Sequence, residues 1–144
     1  MIKNIRHTGI VVNNVNRSLE FYCDLLGFEV KKDNIESGSY LDLFLGMKKV
    51  RVRTIKLALK DEVVIELLYF YSRHKRKGRA LKLNSIGCTH MAMTVENLEV
   101  LYDNLVDAEV EFNSPPTMSG DGKVKVAFCQ DPDGTFLELV EELS

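Results

Sequence analysis

The sequence predicts an α+β protein built from two copies of a strand–helix–strands module, and three observations carry that prediction. Superposing His7 on His90 also brings Val12 onto Val95, Asn14 onto Asn97 and Val15 onto Leu98. Superposing Glu66 on Glu138 aligns two apolar runs, VIELLYF at residues 64–70 and TFLELVEE at residues 135–142, and needs a shorter shift. The first half therefore carries extra residues between its helix and its last strand. Each half opens on a strand bearing a His, continues into a helix and closes on a strand bearing a Glu, the signature of a duplicated unit.

Taken in order, residues 5–12 form a branched, apolar run that predicts a strand containing His7. Asn13-Asn14 supplies a turn and an N-cap. Val15, Leu19, Tyr22 and Leu26 then recur at helical spacing before Gly27, so one amphipathic helix of about three turns is expected. Residues 28–32 read as a short strand, 35–39 as a polar loop and 40–45 as another strand. Along residues 49–59, Val50, Val52 and Ile55 alternate with Arg51, Arg53 and Lys56, which predicts a half-exposed strand with a basic outer face. Asp61-Glu62 turns the chain into the strand that carries Glu66.

Composition changes abruptly at residues 72–83, SRHKRKGRALKL, where six of twelve residues are Lys or Arg. This stretch is expected to connect the halves as a solvated linker, or else to clamp phosphate or carboxylate groups. The expected organisation is a first module at 1–72, a basic linker at 73–84 and a second module at 85–144, together one globular domain. In the second module His90 stands on a strand, and Leu98, Leu101, Tyr102 and Leu105 share a helix face. Residues 110–112 read as a short strand and 114–122, SPPTMSGDG, as a loop able to fold over a site. A strand at 123–129 and the turn Asp131-Pro132-Asp133-Gly134 lead into the closing run. Glu141 and Glu142 read as surface charge.

A net charge of −2 over 144 residues gives no field that gathers nucleic acid, so none is expected as a partner. No stretch approaches the roughly 18 apolar residues of a membrane span, and the N-terminus reads as a strand rather than a signal peptide. Cys23, Cys88 and Cys129 contain no CxxC pair. They point to a reduced, cytoplasmic setting and to small buried apolar roles.

The chemistry rests on the two glutamates. An isolated ionised carboxylate removed from water costs several kcal/mol unless a cation meets it. If the modules pack with pseudo-twofold symmetry, His7, Glu66, His90 and Glu138 converge, and two imidazoles with two carboxylates suit one divalent ion. The donor set admits Zn, Ni, Co, Mn or Fe.

These features resemble the vicinal oxygen chelate superfamily of glyoxalase I, methylmalonyl-CoA epimerase, bleomycin-resistance proteins and extradiol dioxygenases. The resemblance covers nearly the whole chain. It rests on His7-Thr8, on RSLEFY at residues 17–22 with Leu26-Gly27, on VIEL at 64–67, on His90 with its apolar strand, and on DPDG followed by FLELVEE. It implies βαβββ modules forming a curved mixed sheet around a metal held by His7, Glu66, His90 and Glu138. It also implies a metal-dependent lyase or isomerase working through a metal-stabilised enolate. Glu138 is then the first choice as proton shuttle and Glu66 the second base or permanent ligand. The substrate is expected to be a small molecule, a thiol adduct or an acyl-CoA, and the protein a homodimer.

Within the superfamily, glyoxalase I matches the quartet and the ending. Val12, however, stands where that enzyme has a glutathione-contacting arginine, and Phe70 where it has an asparagine, so two glutathione contacts are expected to be missing. Methylmalonyl-CoA epimerase shares Gly9-Ile10 and the pattern at residues 87–92, and the basic segment 73–79 suits CoA phosphates. A non-catalytic antibiotic-binding protein is the alternative from another class, and the full quartet argues against it. Ring-cleaving dioxygenases use two His and one carboxylate, which disfavours that activity here. Thiol transfer to an epoxide antibiotic is disfavoured because that branch has a His at the position of Glu66.

Overall fold

The computed structural model describes residues 1–72 and 81–144. The chain divides into two compact units, Met1–Arg76 and Lys77–Ser144. Most of the basic segment expected to link the modules or clamp anions, residues 73–80, lies outside the described residues.

In the first unit β1 (Thr8–Val11) leads into α1 (Val15–Leu19), which runs on as a π-helical segment, Glu20–Leu25. Asn14 caps this helix, its Oδ1 accepting from the Arg17 amide at 3.1 Å, as Asn side chains do for amides that lack an intrahelical partner. The single three-turn helix expected from the spacing is thus interrupted. The wider winding, seen in the Leu26 N–H to Phe21 carbonyl bond at 3.1 Å, accompanies burial of both Phe21 and Tyr22, adjacent residues that regular α-helix turns well apart. Their rings meet edge to face at 4.9 Å. Gly27 then ends the segment at φ 82°, a left-handed conformation natural to glycine.

Three strands follow, β2 (Glu29–Ser37), β3 (Arg51–Leu59) and β4 (Glu62–Phe70), with a helix, α2 (Ser39–Leu45), between β2 and β3. Two expectations are corrected here. Residues 35–37 extend β2 rather than forming a loop, and residues 40–45 are helical rather than extended. The strand order is β1-β4-β3-β2, with β1 parallel to β4 and the other pairs antiparallel. Strand side chains alternate between faces, and here the buried face carries Ile10, Val12, Ile55, Leu57, Ile65 and Leu67. On the opposite face Leu41 of α2 packs with Val50 and Val52, flanked by Leu68 and Phe70.

The second unit repeats this topology with β5 (His90–Thr94), α3 (Leu98–Asp107), β6 (Thr117–Met118), β7 (Val124–Gln130) and β8 (Phe136–Glu142), ordered β5-β8-β7-β6. The strand expected at 110–112 is reduced to an isolated bridge between Phe112 and Cys129. Leu98 and Leu105 of α3 and Ala127, Cys129, Leu137 and Leu139 of the sheet are buried. In the tight turn before β8, the Asp131 carboxylate accepts from the amides of Asp133 and Thr135, both at 2.9 Å. Cys129 fits the expected small buried role, whereas Cys23 and Cys88 are half-exposed. No helix among the described residues is long and apolar enough to cross a membrane.

Candidate metal centre

His7 immediately precedes β1, and Glu66 lies at the middle of β4. The residue aligned with Glu66 across the parallel pair is Gly9, two positions beyond His7. In the second unit Ala92, two positions beyond His90, aligns with Glu138. Because side chains repeat every second residue, this shared register puts His and Glu on one face in each half. His7 Nε2 lies 3.7 Å from Glu66 Oε1, and His90 Nε2 lies 3.2 Å from Glu138 Oε2. Each unit therefore brings one His and one Glu together. Among the described residues no three or more His, Cys, Asp or Glu side chains group as metal ligands.

Gly9 and Ala92 occupy the strand positions facing the glutamates, so little side chain competes for the space beside them. At Gly9 a Cβ would approach Leu68 Cδ1 to 3.3 Å, a tight fit. The donor geometry suits a metal. Ligand atoms about 2.1 Å from one ion lie roughly 3 Å from each other in a compact coordination shell. The His90–Glu138 separation, which is also that of a hydrogen bond, lies near this value, and the His7–Glu66 separation is longer. Each pair offers one imidazole nitrogen and one carboxylate oxygen, the chemistry of borderline divalent ions.

The two pairs have different neighbours. Phe128, aligned with Glu138 across β7 and β8, sets its ring edge to face against His90 at 5.1 Å. Lys56, aligned with Glu66 across β3 and β4, holds the matching place in the first unit. Neither was legible as a site residue, because both depend on strand register. Glu141, expected to be plain surface charge, instead accepts from the Leu98 amide at 2.9 Å and satisfies the start of α3. Val12 is fully buried and Phe70 packs beside Val52, so neither offers a polar contact to a tripeptide.

Comparison with known proteins decides the family. The model of the Glyoxalase/Bleomycin resistance protein/Dioxygenase superfamily matches residues 4–139. The chain belongs to this superfamily. Among its relatives, a probable lactoylglutathione lyase from Synechocystis sp. is 30% identical over 139 residues, covering 96% of this chain and 95% of its own. The uncharacterized protein YwkD of Bacillus subtilis is 30% identical over 144 residues, covering 99% of each. A crystal structure of a glyoxalase family protein from Bacillus cereus superposes with a TM-score of 0.89 at 18% identity, over 100% of this chain and 97% of that one. That likeness shows the fold: two four-stranded mixed sheets with their helices, the βαβββ module of the glyoxalase superfamily written twice.

Proposed function

We propose that the protein is a metal-dependent isomerase or lyase of the glyoxalase type, with His7, Glu66, His90 and Glu138 as ligands of a divalent ion. The observation that carries this reading is the identical His–Glu register in both halves, with donor atoms 3.7 and 3.2 Å apart. When bound, the ion supplies Lewis-acid polarisation of a substrate carbonyl oxygen. Glu138 takes the proton from the carbon next to that carbonyl and returns it. Its cross-strand neighbour is Phe128, whereas Glu66 faces Lys56. Phe128 also packs edge to face against the His90 ring. Glu66 serves as the persistent ligand or second base.

The likeness to a probable lactoylglutathione lyase supports the reaction class. The buried Val12 and packed Phe70 point away from glutathione as the thiol. A metal-dependent epimerase acting on an acyl-CoA uses the same proton chemistry and is the second reading, supported by the resemblance at Gly9-Ile10 and residues 87–92. Proton transfer is tested by deuterium exchange in D₂O. Metal-loaded protein should wash deuterium into the carbon beside the carbonyl of a methylglyoxal–thiol adduct or of methylmalonyl-CoA. Glu138→Gln should lower that exchange by about a hundredfold or more, the usual worth of a positioned general base. Absence of exchange across a broad carbonyl panel would overturn the assignment.

A further inference from the structure

Lys32 and Lys56 are aligned partners on β2 and β3, and Lys56 is in turn aligned with Glu66 on β4. Aligned residues of neighbouring strands share a face, with Cβ atoms roughly 5 Å apart. The row Lys32, Lys56, Glu66, Gly9 therefore crosses the sheet on the face of the His7–Glu66 pair. Two like charges placed opposite each other destabilise a sheet. Other cations of these strands are compensated. Arg53 donates twice to the Asp33 carboxylate, at 2.8 and 2.7 Å. Lys31 Nζ lies 2.8 Å from Asp61 and 3.3 Å from Glu29, and Arg51 stacks over the Tyr71 ring at 4.2 Å. Among the described residues, no carboxylate comes within ion-pair distance of Lys32 or Lys56. The second half, with Phe128 in the place of Lys56, shows that the module itself does not require a cation there.

We propose that Lys32 and Lys56 form an anion-recognition subsite beside Glu66, which takes a carboxylate or phosphate group of the substrate. This rests on the proposed function, because it places a second substrate group next to the carbonyl handled at the His–Glu pair. The lysines act as two mobile point charges with three donors each, suited to either oxyanion. Half-buried Lys56 stands next to the ligand, and exposed Lys32 stands one strand further out. On the same face, Leu68 and Phe70 pack toward α2, and the substrate class is a carbonyl compound with an anionic end.

Calorimetric titration of the metal-loaded protein with inorganic phosphate and, separately, with pyruvate tests the subsite and distinguishes the two oxyanions. Wild type should bind at least one of them, more weakly as salt rises. Lys56→Gln and Lys32→Gln should each weaken that binding about five- to tenfold. Lys56→Arg should restore most of it, and metal content should stay at the wild-type level in all three. Binding unchanged in the glutamine variants, or no binding of either anion by wild type, would overturn the proposal. A protein that holds no metal yet binds phosphate through the lysines would retain the subsite while refuting the proposed function.

Discussion

Cys129, fully buried on β7, has its thiol pushed up to about 12 by burial, with the nearby Asp131 carboxylate adding to the effect. In the unfolded chain a cysteine ionises near ~8.5. The folded state thus keeps a proton that the unfolded state releases in alkali. The stability this provides is complete below about pH 8.5 and declines as pH rises toward 12. Cys129→Ala should flatten the fall of Tm between about pH 9 and 11, and an alkaline slope equal to that of wild type would contradict the account. Single residues differ in how plainly the sequence displays them. Glu66 and Glu138 stand out because a charge inside an apolar strand is costly, and here it occurs twice at matching places. Lys56 and Phe128 do not stand out, because their alignment with the glutamates depends on turn length and on the register shift between Leu57 and Ala58.

At the scale of elements, apolar runs and spacing located β1, β3, β4, β5, β8 and α3, but β3 is not the half-exposed strand expected: Val52 and Thr54 are buried on the face of Lys56, and Ile55 and Leu57 on the other. The same signals misread α2 because YLDLFL is a short apolar run, for which strand and helix cannot be separated by pattern. Neighbouring glycines set the helix apart, with Gly38 at φ 121° before it and Gly46 at φ 65° after it. The second half of β2 is hidden for the opposite reason. It is an edge strand, largely exposed on both faces, so its hydrophobicity does not alternate. The connection from α2 to β3 depends on Asp42, whose carboxylate accepts from the Lys49 and Val50 amides at 3.0 and 2.8 Å. Asp42→Ala strips both donors of their acceptor and should cost about 1 to 2 kcal/mol in urea unfolding. A change within experimental error would show that water replaces the carboxylate at no cost.

For the whole molecule, duplication made most of the fold legible. Two halves carrying the same strand–helix–strands order constrain each other, and the strand orders β1-β4-β3-β2 and β5-β8-β7-β6 are the same topology repeated. What sequence could not supply was the difference between the halves: the extra helix and lysine row in the first, the short β6 and the aromatic neighbour in the second. The His–Glu register is common to both halves, and the differences lie on the strands beside it. The most direct measurement is the metal content of purified, metal-reconstituted protein, for wild type and for His7→Ala, Glu66→Gln, His90→Ala and Glu138→Gln. Wild type should hold stoichiometric divalent metal, and each variant should lose at least about tenfold in affinity, as removal of a ligand from a set of four requires. A wild type that rebinds no divalent ion, or four variants that retain it as tightly as wild type, would contradict the assignment.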